Sequence, residues 1–169
     1  MNKFKPDMYV KDILSINYDK LKKSGIKVLL YDFDNTIIAH KVYEVDKKYV
    51  DLINKLKKDF DIYIISNSFN YKKLAKISSI LGIKYVARSL KPLKHGFKKL
   101  KFDLDIDNKS ICMIGDQILT DVYGSKRMDF YSILIDPITR DNEIIFTRFN
   151  RRIEESILKK YIKRGDFYE

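Results

Sequence analysis

The stretch Leu29 to His40, LLYDFDNTIIAH, decides how the chain is read. An apolar run with the composition of a buried strand ends in two acids, Asp32 and Asp34, separated by one Phe, with Asn35 and Thr36 directly behind them. Burying two unpaired carboxylates is strongly unfavourable. Something must offset that cost, and a metal ion with a lysine would do so.

Outward from this stretch, apolar runs of strand length alternate with segments of helical period, the βαβ pattern. Strands are expected at 26–33, 61–66, 83–87, 110–114 and 130–135. Most are nearly continuously apolar, as parallel strands covered on both faces should be. The fold class is α/β: a Rossmann-like, doubly wound parallel sheet of about five strands in a single domain spanning 1–169. Between the strands, Asp46 is placed to cap a helix with Val50, Ile53 and Leu56 on one face, Asn70 to cap the next, and Gly82 to end it. A further helical segment runs from Thr120 to Arg127. A C-terminal amphipathic helix over 144–164 carries Phe149, Ile153, Ile157 and Tyr161 as an apolar stripe expected to pack on the sheet. Residues 1–25 form an N-terminal arm laid against it.

Composition narrows the setting. The single cysteine, Cys112, lies in the apolar run SICMI and reads as a buried hydrophobe, so no intramolecular disulfide forms. The formal charge of +11 suits an anionic partner such as RNA, a phosphorylated ligand or acidic lipid headgroups, although the bases are scattered. No signal-peptide pattern opens the chain, and no apolar run approaches the ~18 residues of a membrane span. The expectation is a cytoplasmic protein, soluble or peripheral at a membrane.

In an open parallel sheet, ligands bind beyond the carboxyl ends of the strands, and the polar residues that interrupt the apolar pattern fall there. Asp32, Asp34 and Thr36 end the first strand, Ser66 and Asn67 the second. Lys91 and Pro92 follow the third, Gly115 and Asp116 end the fourth, and Asp121 comes five residues later. Phosphoryl transfer through an aspartyl-phosphate needs such a set. A carboxylate nucleophile divides a slow hydrolysis into two easier steps but repels the phosphate dianion. Mg²⁺ held by Asp32, Asp116 and a main-chain carbonyl near Asp34 would bridge them, with Lys91 and Ser66 meeting the phosphoryl oxygens.

The motifs DFDNT at 32–36, Ser66-Asn67, Lys91-Pro92 and GDQILTD at 115–121 resemble those of the haloacid dehalogenase superfamily. The phrases YDFDNTI, KPLKHGF, MIGDQILTDVYG and TRFNRRIE are more closely similar to its subclass III phosphatases of the YqeG type, related to phosphatidylglycerophosphate phosphatases. The resemblance implies Asp32 as nucleophile and Asp34 as general acid and base. It implies metal binding by Asp32, Asp34, Asp116 and Asp121, and phosphate binding by Thr36, Ser66, Asn67 and Lys91. An acid two residues after the nucleophile marks the phosphatase branch. The intervals from Asp34 to Ser66 and from Ser66 to Asp116 leave no room for an inserted cap domain. The implied substrate is a phosphomonoester, with a lipid phosphate at a membrane surface favoured by kinship.

Two rivals stand beside this reading. A response-regulator receiver also clusters acids, a hydroxyl and Lys-Pro, but its Lys-Pro follows the last strand, whereas here it precedes GDQ. A binding protein acting on RNA or in ribosome assembly, retaining the acid site, is the alternative. His40 and His95 read as surface histidines without a site role.

Overall fold

The computed structural model describes residues 3–102, 105–141 and 145–162. Six parallel strands form one sheet: β1 (Met8–Val10), β2 (Val28–Tyr31), β3 (Asp61–Ile65), β4 (Lys84–Val86), β5 (Ile111–Gly115) and β6 (Tyr131–Ile135). Their spatial order is β1-β6-β5-β2-β3-β4. The two central strands are β5 and β2, so the loop that begins at Asp32 emerges from the middle of the sheet.

The helices are α1 (Tyr18–Lys23), α2 (Lys47–Leu56), α3 (Tyr71–Leu81), α4 (Lys94–Phe102), α5 (Tyr123–Lys126) and α6 (Ile145–Ile162). Side-chain alternation along the strands divides the core in two. Leu29, Tyr31, Ile62, Ile64, Cys112 and Ile114 face Ile53, Leu56, Leu74 and Ile77 of α2 and α3. Val28, Leu30, Ile65 and Met113 face Phe97 and Leu100 of α4. Burial on both faces is the physical reason that these strands lack a polar alternation.

The expected caps form. Asp46 accepts from the Lys48 amide and Asn70 from the Lys73 amide, while Gly82, at φ 61°, ends α3 in the left-handed conformation. The arm contributes more than packing. β1 adds a sixth strand by pairing with β6, anchored where the Asp7 carboxylate accepts from the Ser132 amide and hydroxyl at 2.7 and 2.9 Å. Three residues are too few for a strand period to show in sequence.

The C-terminal helix corrects another expectation. Phe149 and Ile153 of the apolar stripe are 61% and 40% exposed, while the polar Asn150, Arg151 and Glu154 are buried. Among the described side chains of the stripe, Ile157 alone packs inward, against a small cluster of Ile118, Val122 and Leu134. The Tyr161 side chain, and residues 144, 163 and 164 of the expected helix, lie outside the described residues. No helix among the described residues is long and apolar enough to cross a membrane.

Ile64 is fully buried on the strand beside β2. Ile64→Ala should lower stability by about 2–5 kcal/mol, read as a shifted urea midpoint. An unchanged midpoint would show that this face of the sheet is not the close-packed core described.

Candidate active site

The acid cluster is assembled by two strand ends and the turn that follows one of them. The Asp32 amide donates to the Ile114 carbonyl at 2.9 Å, so pairing between β2 and β5 continues to the acid itself. Asp116 follows β5 directly, and Asp121 lies in a π turn, Ile118–Val122, leading into α5. One carboxylate oxygen from each of Asp32, Asp116 and Asp121 lies within 4.8 Å of the others, and all three residues are buried. Gly115 makes the approach possible, because a Cβ there would sit 2.2 Å from Asp121 Oδ2.

Two cations enter from opposite directions. Lys91 Nζ, itself buried, donates to Asp32 Oδ1 at 2.5 Å and to Asp121 Oδ1 at 2.7 Å. Burial alone would lower its ammonium, but Asp121 and Asp32 outweigh that effect and hold it above its usual range. Burial also raises the Asp32 carboxyl, against the pull of Lys91. From α6, Arg151 donates to the Asp116 main-chain carbonyl at 2.5 Å and pairs with Asp116 Oδ2. Its neighbour Glu154 accepts from the Leu119 amide at 2.9 Å and lies 3.3 Å from the guanidinium. Burial raises Asp116 to about 6, opposed by Arg151, and Glu154 to about 7, opposed by the Leu119 amide and Arg151.

Asp34 stands apart from this cluster. Asn35 at φ 64° turns the chain after it, a conformation that Asn tolerates better than most residues. The Asp34 carboxylate meets Lys73 of α3 at 2.9 Å, and His40 Nδ1 lies 3.6 Å from the same oxygen. Lys73 also donates to the Ala39 carbonyl and sits over the Phe33 ring, 5.0 Å from its centroid. The general acid implied by the motif is thus fixed by a buried lysine from another element.

A cleft of about 380 Å³ opens over these residues, lined by Asp32, Asp34, His40, Ser66, Phe69, Gln117 and Thr147, among others. Ser66 faces it from the end of β3, its hydroxyl accepting from the Ser68 amide at 3.0 Å. Asn67 also lines the cleft, but both ends of its side-chain amide bind the segment carrying Lys91. Its Nδ2 donates to the Lys91 carbonyl at 2.9 Å, and its Oδ1 accepts from the Lys91 amide and the Ser89 hydroxyl at 2.8 Å each. Thr36 is buried behind the floor, its hydroxyl 3.4 Å from Asp116 Oδ1. The expected phosphate-holding residues therefore divide. Ser66 lines the cleft, whereas Asn67 braces Lys91 and Thr36 backs Asp116.

His40 had read as a surface residue and lies in the site; His95 is exposed on α4. None of Lys73, Arg151 and Glu154 was assigned to the site from sequence. Of these, Arg151 and Glu154 had the one available signal, opposite charges three residues apart on a helix. The three buried carboxylates form an all-oxygen set that could hold a hard divalent cation.

Solved structures carry the same fold. A HAD phosphatase from Thermococcus onnurineus aligns with a TM-score of 0.56 at 15% identity, over 70% of this chain and 89% of that one. An uncharacterized protein from Listeria monocytogenes serotype 4b aligns with a TM-score of 0.57 at 18% identity, over 70% and 85%. These likenesses show the fold, that of haloacid dehalogenase-type phosphatases, with the acids placed as described.

The chain's branch of that class follows from sequence. The chain belongs to the family described as mitochondrial PGP phosphatase, whose model matches residues 1–139. It is 31% identical over 163 residues to the probable phosphatase YqeG of Bacillus subtilis (strain 168), covering 96% of this chain and 94% of that protein. It is 26% identical over 169 residues to phosphatidylglycerophosphate phosphatase 1, chloroplastic/mitochondrial, of Arabidopsis thaliana. That match covers 95% of this chain and 49% of the plant protein, so the chain spans about half of that relative's length.

Removing Arg151 would leave Asp116 buried without its closest counter-charge. Arg151→Met should destabilise the protein by about 3–5 kcal/mol, measured by urea denaturation in the presence of a chelator. An unshifted midpoint would mean that α6 docks without help from this pair.

Proposed function

We propose that the chain is a Mg²⁺-dependent phosphomonoesterase that works through an aspartyl-phosphate on Asp32, with phosphatidylglycerophosphate as substrate. The observation that carries the chemistry is the division of the two acids. Asp32 sits at the cleft floor beside Asp116, Asp121 and Lys91, while Asp34 sits on the wall with Lys73. One is placed to attack and the other to move protons. The family description and the plant relatives' names support the lipid substrate.

In the first half-reaction an Asp32 carboxylate oxygen bonds to phosphorus as the bond from phosphorus to the substrate's alcohol oxygen breaks. Asp34 delivers its proton to that departing oxygen. In the second half-reaction Asp34 takes a proton from water as the water oxygen attacks phosphorus. The bond to Asp32 then breaks, releasing inorganic phosphate and restoring the carboxylate. Ser66, Lys91 and amides of the loop after β2 meet charge on the phosphoryl oxygens. Asp32, Asp116 and Asp121, with the main chain at Asp34, would hold Mg²⁺, which would supply positive charge to offset repulsion between the nucleophile and the phosphate dianion.

Asp32→Asn should abolish hydrolysis of phosphatidylglycerophosphate in detergent micelles and of a soluble aryl phosphate, with the fold intact by circular dichroism. Chelation should do the same to the native protein. Retained turnover in either case would overturn the mechanism. Asp34→Asn should reduce kcat/KM about 10²–10⁴-fold on an alkyl phosphate and much less on an activated aryl phosphate, whose leaving group needs little protonation. Equal losses on both would remove Asp34 from acid catalysis.

A further inference from the structure

The loops at the carboxyl end of the sheet, where the cleft opens, carry apolar side chains that none of the described residues covers. Val42 and Tyr43 follow β2, Phe69 follows β3, and Leu90 and Leu93 follow β4; each is about half exposed or more, Phe69 reaching 69%. Phe149 and Ile153 add to them from the N-terminal half of α6, where Thr147 lines the cleft. Parts of this collar are in direct contact. Arg88 stacks over the rings of Phe69 and Tyr71, 4.8 and 5.0 Å from their centroids, and Asn70 Nδ2 donates to the Tyr43 hydroxyl at 3.3 Å.

Lys41, Arg88 and Leu90 adopt φ of 64°, 47° and 57°, a left-handed conformation that is unfavourable for residues with a Cβ. Exposed apolar side chains on the loops that frame a cleft, interspersed with charge, mark an interaction surface.

Charge chooses the partner. On segments 41–45, 67–72, 88–94 and 147–153, the exposed bases Lys41, Lys72, Arg88, Lys94, Arg148 and Arg152 stand against a single acid, Glu44. Aromatic residues and bases alone would also suit a nucleic acid, but Val42, Leu90, Leu93 and Ile153 gain nothing from phosphates or base edges. Aliphatic and aromatic side chains inserted at the acyl boundary, with bases at headgroup level, are the signature of an anionic bilayer surface.

We propose that the collar around the cleft is a membrane-docking face, which sets the active site mouth-down on an anionic bilayer. This rests on the lipid-phosphate reading and places the membrane contact at the cleft rim. A phosphate at headgroup depth then reaches Asp32 without extraction of the lipid's acyl chains.

The test uses the full chain and sucrose-loaded vesicles of phosphatidylcholine with or without phosphatidylglycerol, containing no phosphorylated substrate. Sedimentation at low salt should show binding only to the anionic vesicles. Val42→Ser, Leu90→Asn and Leu93→Ser combined should lower partitioning about tenfold or more; Asn at 90 tolerates the left-handed backbone. Turnover of vesicle-borne phosphatidylglycerophosphate should fall in parallel, while hydrolysis of a soluble aryl phosphate stays unchanged. Phe149→Ser with Ile153→Ser makes the same demand from another element, should the triple variant fail to fold. Native protein that ignores anionic vesicles, variants that bind like native protein, or collar-dependent binding to RNA in place of vesicles would each overturn the docking face. Failure to hydrolyse the lipid phosphate in detergent micelles would count instead against the substrate, independently of vesicle binding.

Discussion

The site depends on a lysine buried among acids. Lys91 bridges Asp32 and Asp121, and neither carboxylate is tolerable at that depth without it. Its position is set by contacts well away from its ammonium. Asn67, at the end of β3, grips both the amide and the carbonyl of Lys91, so the strand beside β2 determines where the charge falls. On the other side of the cluster Arg151 performs the equivalent service for Asp116. The cluster therefore ties the carboxyl ends of β2, β3 and β5, the loop after β4, and α6 into one electrostatic unit.

That coupling explains why α6 turns its polar face inward. A helix on the surface of an α/β sheet ordinarily buries its apolar stripe. Here the group awaiting it is a buried carboxylate, and a guanidinium can satisfy both that carboxylate and the adjacent main-chain carbonyl. The Arg151 and Glu154 face consequently docks, while Phe149 and Ile153 are left outside beside the cleft.

The sheet was legible in the sequence because its strands are buried on both faces and bounded by polar residues at their carboxyl ends. The ordered acids at 32, 34, 116 and 121 were legible for the related reason that nothing but chemistry explains charge at the end of an apolar run. Other features depend on contacts between distant segments. β1 is a three-residue strand whose partner lies more than a hundred residues away. Lys73 is one of many lysines until α3 packs it against Phe33 and Asp34. The apolar stripe of α6 had the right period for burial, and only the ionic demand of Asp116 reverses it.

The central claim is that Asp32 forms a covalent bond to phosphorus. Native protein supplied with a labelled phosphomonoester and Mg²⁺, quenched in acid during turnover and digested, should yield a labelled peptide containing Asp32. The label should be released by hydroxylamine, as an acyl phosphate requires, and should not appear in Asp32→Asn. Steady turnover with no acid-stable label on that peptide, or label on a different residue, would contradict the account.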